Sequence, residues 1–235
     1  FALIFVLAVM EGFESDFQKR VIGFKAPLVA TAADPGLLND LKKEIPGWDP
    51  RIQTIRFFVE GEAILQKEEG ETVGVRVRGI EDSEVLAKRF GKISEAEPLS
   101  RKNIFLGEEL ATSMRILPDF FEKVWLIFPL GEVGPGGELL PRVRRYTVSG
   151  TFRSGFYEFD NKYLLMNVAE ASALLGDFSR FGLEIWVDPA RIEEVESLLA
   201  SRLPAAVKLE SWRQQNPKLF SAMKLERIGM VLLLS

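Results

Sequence analysis

The topology of this chain depends on one glycine-rich segment, Gly131-Glu132-Val133-Gly134-Pro135-Gly136-Gly137-Glu138-Leu139-Leu140-Pro141. Two apolar runs of strand-like composition, residues 124–130 and 145–152, lie on either side of it. The segment lacks the Gly-Lys-Ser/Thr of a phosphate-binding loop, and no helix-forming run follows it as a dinucleotide site requires. It therefore predicts a long β-hairpin whose connection is an exposed, mobile arm.

The arm carries apolar Leu130, Val133, Leu139 and Leu140, and such an arm suits the capture of a partner. An exposed loop with no binding role explains the same composition equally well. The following strand places Arg142 and Arg144 on one face and turns Arg145 to the other. A face with two arginines can bind an acidic partner, although solvated surface charge is the usual explanation.

Outward from the hairpin, short apolar runs alternate with helical patterns. Strands are predicted over residues 27–32, 52–66, 73–77, 104–107, 163–167, 183–187 and 207–212, with Gly61 as a possible bulge. Helices are predicted over residues 37–45, 82–89, 108–111, 168–175 and 190–203. The order predicts an α+β fold in which a split βαβ porter-like sandwich, residues 23–80 with 181–212, is interrupted by a smaller mixed α/β insert, residues 81–180.

Composition excludes several kinds of chemistry. The 235 residues include no His and no Cys, so catalytic triads, structural zinc and iron–sulfur clusters cannot be built. The net charge of −4 argues against a nucleic-acid partner. Glu158 and Asp160 would share one side of an extended segment, but nothing else supports a glycosidase pair. We therefore predict a non-catalytic domain with no cofactor and no metal.

Both ends are strongly apolar. Residues 1–10 are all apolar, as are most of residues 228–234. A membrane helix needs about 20 apolar residues, so each run is interpreted as the stub of a longer span, with residues 1–22 and 213–235 forming stub and stalk. Ordinary core elements are the alternative. Apolar stripes at helical spacing adjoin both runs and include Phe13 with Phe17, and Leu219 with Met223.

Several motifs, taken in order, resemble one family of permeases. They are VLAVMEGFE at 6–14, VRGI at 77–80, IFLGEELA at 104–111, PRVRRYTVSG at 141–150, GFYEFD at 155–160 and FSAMKLER at 220–227. Together they resemble the permease subunits of the bacterial lipoprotein-releasing (LolC/LolE-type) ABC transporter. The resemblance covers nearly the whole chain, and the related macrolide-exporter (MacB-type) permeases share its fold.

The resemblance implies a periplasmic domain of the MacB type, anchored in the bacterial inner membrane between the first two membrane helices. It implies that a hairpin hook captures a LolA-like periplasmic carrier, and by position the hook comprises Gly131, Glu132, Val133, Gly134, Pro135, Gly136, Gly137, Glu138, Leu139 and Leu140. A neighbouring basic patch, here Arg144, would also touch the carrier.

The other implied partners are a lipoprotein cargo, a second permease subunit, a cytoplasmic LolD-like ATPase and the membrane. An apolar cavity for acyl chains is expected near Met10, Phe13, Phe17, Phe220 and Met223. The alternative function is a MacB-type exporter domain that docks a periplasmic adaptor for drug or toxin efflux.

Overall fold

The computed structural model describes residues 25–68, 70–81, 102–215, 217 and 229. The strands are β1 (Leu28–Thr31), β2 (Ile52–Lys67), β3 (Thr72–Ile80), β4 (Asn103–Gly107), β5 (Lys123–Val133), β6 (Leu139–Phe152), β7 (Tyr163–Asn167), β8 (Arg180–Val187) and β9 (Lys208–Ser211). The helices are α1 (Pro35–Glu44), α2 (Glu108–Ser113), α3 (Tyr157–Asp160), α4 (Val168–Leu175), α5 (Ile192–Arg202) and α6 (Trp212–Gln215). Helices and strands are both present along the chain, so the predicted combination of α and β structure is confirmed.

Among the described residues, the first of two compact units comprises residues 25–30, 43–55 and 184–215 together with residues 217 and 229. Within it, β1 lies between β8 and β9. Helix α5 buries Ile192, Val195 and Leu199, the stripe that its helical spacing predicts. The entering and leaving segments are joined, because the Trp212 N–H donates to the Pro27 carbonyl at 2.8 Å.

The second unit comprises residues 31–42, 56–68, 70–81 and 102–183. Its strands follow the order β3-β7-β4-β6-β5-β2, and β2 also pairs with β3, so the pairing returns to its first strand. Strand β3 is parallel to β7, whereas β2 is antiparallel to both β3 and β5. These long-range pairings join β2 and β3 to the strands of this unit.

Gly61 is not a bulge, and this sequence-based prediction is wrong. The β2–β3 register runs unbroken from Phe58↔Ile80 to Gln66↔Thr72. Gly61 instead makes room for α4, because a Cβ there would lie 2.8 Å from Cδ2 of Leu175. The missing side chain therefore reflects packing of a helix on the strand and not an irregular backbone.

The motifs at 104–111 and 155–160 meet at the end of β4. A Cβ on Gly107 would lie 2.0 Å from the carbonyl oxygen of Asp160, so only glycine permits this approach. The Asp160 carboxylate is buried and accepts the N–H groups of Ser154 at 2.6 Å and Gly155 at 3.3 Å. Residues 157–160 form a helical turn and Glu158 is exposed, so the pair of carboxylates on an extended segment does not exist.

The predicted membrane stubs lie largely outside the described residues. Within the described part of the chain, no helix combines the length and the apolar character needed to cross a bilayer. The stubs therefore stay a prediction.

Candidate partner-binding site

The hairpin predicted around the glycine-rich segment is present. Strands β5 and β6 pair from Lys123↔Thr147 to Phe128↔Arg142, and again at Glu132↔Leu140 and Val133↔Leu139. The register shifts between these two stretches, so that Pro129, Leu130 and Gly131 form a bulge in β5. We call residues 131–140 the hook.

The tip of the hook is a hydrogen-bonded turn, where the sequence predicted a longer loop. The strands extend to Val133 and restart at Leu139. The Gly134 N–H donates to the Glu138 carbonyl at 2.7 Å, and the Gly137 N–H donates to the Gly134 carbonyl at 2.9 Å. Pro135 restricts the turn, and Gly137 has the positive φ of +85° that such hairpins require. Glycine and proline therefore define a tight turn here.

Arg142 fixes the base of the hook. Its Nη2 donates to the Gly131 carbonyl and its Nη1 to the Leu174 carbonyl, both at 2.7 Å. Leu174 lies in the last turn of α4, where unsatisfied carbonyls favour a cation. A Cβ on Gly131 would lie 2.3 Å from the backbone nitrogen of Arg142, so only glycine lets β5 and β6 come this close to each other. The Arg142 guanidinium therefore binds carbonyl groups of its own chain.

Arg144 lies on the same face and is also engaged within the chain. Its Nη1 lies 3.3 Å from Glu170, and the same carboxylate accepts the Tyr146 hydroxyl at 3.3 Å. Burial, together with the negative charge of Glu170, raises the pKa of Tyr146 to about 12. The Arg144 side chain is still 38% exposed, so an incoming carboxylate would compete with Glu170 for it.

The hairpin exposes large apolar side chains. Leu130, Leu139, Leu140 and Val143 are each between 42% and 52% exposed. Several exposed apolar side chains along one hairpin favour a protein-binding surface. The sequence identified the three leucines, and the pairing of β5 with β6 adds Val143.

The sequence did not predict that Arg142 binds carbonyl groups of its own chain or that Arg144 pairs with Glu170, because both contacts depend on where α4 packs. The lipid-proximal candidates Met10, Phe13, Phe17, Phe220 and Met223 lie outside the described residues. Among the described residues, no group of three or more His, Cys, Asp or Glu side chains is placed to hold a metal ion.

We expect the substitution Arg142→Ala to loosen the hook. It leaves two carbonyls without their donor, so we expect the free energy of unfolding to fall by about 1–3 kcal/mol. Amide exchange at residues 128–133 should accelerate, as measured by mass spectrometry. Arg153→Ala is the matched control, because Arg153 makes only an exposed pair with Glu108. Unchanged exchange in the Arg142 variant would show that another contact fixes the hook.

Comparison with known proteins supports the resemblance drawn from the motifs. No family profile matches the chain. The chain is similar to the lipoprotein-releasing system transmembrane protein LolC of Xylella fastidiosa, with 30% identity over 241 residues in strain 9a5c and 29% over 243 residues in strain Temecula1. It is 29% identical over 253 residues to LolC of Neisseria meningitidis serogroup B. These alignments cover 99–100% of the chain, which spans about 57–58% of the relatives' length. The resemblance to lipoprotein-releasing permeases is thus confirmed.

The chain is also similar to domains of solved structures. The extracellular domain of the noncanonic ABC-type transporter YknZ from Gram-positive bacteria matches with a TM-score of 0.50 and 10% identity, over 78% of this chain and 99% of that domain. The periplasmic region of MacB from Actinobacillus actinomycetemcomitans has a TM-score of 0.46 and 13% identity, over 86% of this chain and 95% of that region.

Proposed function

We propose that this chain is the periplasmic domain of an ABC transporter permease of the bacterial inner membrane, and that it hands lipoproteins to a periplasmic carrier through the hook. Homology to LolC proteins along nearly the whole chain supports the permease assignment. The observation that supports carrier capture is the hook itself, an anchored hairpin that exposes Leu139 and Leu140.

The physical problem of lipoprotein release is the transfer of acyl chains. Each methylene buried in an apolar environment contributes about 0.8 kcal/mol, so chains leave a bilayer only for another apolar site. A hook that holds the carrier beside the outlet raises the carrier's effective concentration there. The domain then acts by binding and positioning, and the energy comes from ATP hydrolysis in a separate LolD-like subunit.

Arg144 is proposed as a second contact with the carrier. Its half-exposed guanidinium lies at the base of the hook, on the face of β6 that also bears Arg142. Binding would exchange the Glu170 carboxylate for one from the carrier. Met10, Phe13, Phe17, Phe220 and Met223 are proposed to border the lipid cavity, and a second permease subunit is proposed to complete it.

Two binding measurements test this proposal against the exporter alternative. The permease complex that contains this chain is immobilised, and the lipoprotein carrier and a MacB-type periplasmic adaptor of the same bacterium are supplied separately. We expect the carrier to be retained and the adaptor to pass through. Failure to retain the carrier would contradict the proposal. If the adaptor alone is retained, drug or toxin export becomes the better supported function.

A further inference from the structure

An open groove lies beside the base of the hook, within the second unit. The pairing of β2 with β5 ends at Ile64↔Ile127 in the described part of the chain, and β5 then continues into the bulge and the hook. The groove has a volume of about 850 Å³ and is lined by segments of β2, β3 and β5 together with Lys162, Phe178 and Arg180. A volume of this size accommodates a short extended peptide.

The groove exposes apolar side chains beside the hook. Leu130 is 42% exposed, and Phe178 is 57% exposed with its ring 5.8 Å from that of Phe128. Leu130 belongs to the bulge that directly precedes the hook, and it also lines the groove. A protein that holds the hook is therefore also next to the groove.

The charges that line the groove favour a negative ligand. The cations are Arg76, Lys162 and Arg180, and the carboxylates are Glu60 and Glu62. The carboxylate of Glu60 is already bound at 2.6 Å by the buried guanidinium of Arg78. Glu62 lies 3.2 Å from Arg76. Counted together with Arg78, four cationic side chains face two carboxylates, so the lining carries a net positive charge.

The floor of the groove is open at Gly74. This glycine lies opposite Ile64 in the β2–β3 ladder, and a Cβ placed on it would have no atom within 4 Å. Its φ is not in the positive range that restricts other residues. A larger side chain at this position would therefore enter the groove without disturbing the strand.

We propose that this groove binds an extended, acidic segment of the carrier that the hook captures, with apolar side chains of that segment packed against Leu130 and Phe178. This inference rests on the proposed function and adds a second contact to it. Mixed charges around an apolar floor suit a polypeptide better than an acyl chain, because a chain of methylenes would cover these charged groups and offer them no polar atom in place of water.

Two substitutions test the groove by carrier affinity, measured with the intact permease complex and purified carrier. Gly74→Tyr fills the floor and Lys162→Glu reverses a charge of the rim, and we expect each to weaken binding about tenfold or more. Gly47→Tyr is the matched control for size, because a Cβ on Gly47 also meets open space. Lys102→Glu is the matched control for charge, since Lys102 is exposed in the same unit and does not line the groove.

A photo-crosslinking amino acid at Phe178 identifies the occupant directly. We expect it to form a crosslink with an acidic segment of the carrier, and the same group at exposed Tyr157 should not. A crosslink to lipid, or wild-type affinity in both groove variants while a hook variant loses the carrier, would overturn the groove inference and leave the proposed function intact. Wild-type affinity in hook and groove variants alike would contradict both.

Discussion

Replacing residues 133–139 with a Gly-Ser turn is expected to reduce carrier affinity by at least about a hundredfold, because the few anchor residues of an interface contribute most of its binding energy. In this variant the Gly-Ser turn connects Glu132 to Leu140, two residues that are already paired in the β5–β6 register. A two-residue turn that starts with glycine suits such a pair. The fold should therefore persist, and titration of the permease complex with purified carrier measures the loss.

The double substitution Leu139→Ser with Leu140→Ser separates the apolar side chains from the length of the hook. We expect it to weaken binding almost as much as the shortened turn does. Leu117→Ser is the control, because Leu117 is 56% exposed in the same unit and lies outside the hook. If the shortened hook binds the carrier as tightly as the wild type, the hook has been assigned wrongly.

The substitution Arg78→Met is expected to lower the free energy of unfolding by about 3 kcal/mol, because it removes the buried cation of the buried Glu60 carboxylate and leaves the more distant Arg76, whose Nε lies 3.8 Å from that carboxylate. Arg78 Nη1 lies 2.6 Å from Glu60 Oε2, and both side chains are less than a tenth exposed. The guanidinium also lies 4.3 Å from the centre of the Phe58 ring, and the Tyr163 hydroxyl donates to the other Glu60 oxygen at 3.1 Å. Denaturant titration of the whole chain measures the change.

A matched double variant distinguishes loss of the pair from loss of packing. Glu60→Met combined with Arg78→Met removes both charges, and it should recover most of the stability lost in the single variant. Arg153→Met, which removes an exposed arginine, should change stability by less than about 1 kcal/mol. If the single and double variants have the same free energy of unfolding, the packing of the Arg78 side chain stabilises the protein and its charge does not.

The hairpin, the helix stripes and most strands follow from local patterns. Alternation of apolar residues predicts β2 and β3, and the glycine-rich segment predicts the connection between β5 and β6. Side chains two residues apart lie on one face of a strand whatever surrounds it, so these features need no knowledge of distant contacts. The order of motifs was also sufficient to identify the relatives.

Glycines and charges were harder to interpret. Gly61 looks like a bulge in the sequence, yet it makes room for Leu175, and Gly107 makes room for the Asp160 carbonyl. In both cases the partner lies far along the chain. A glycine in a sequence shows only that a side chain is absent. Why it is absent becomes clear only when the position of the element that packs against it is known.

Local patterns in the sequence were enough to predict a mixture of helices and strands with one long hairpin, because hydrophobic periodicity and turn residues act over a few neighbouring positions. The roles of the arginines could be assigned only from the folded structure. Arg142 donates a hydrogen bond to the Gly131 carbonyl at the base of the hook, Arg144 forms an ion pair with Glu170, and Arg78 forms a buried ion pair with Glu60. The sequence does not distinguish these arginines from one another. Their roles differ because the pairing of distant strands and the packing of α4 determine which oxygen atoms each guanidinium contacts.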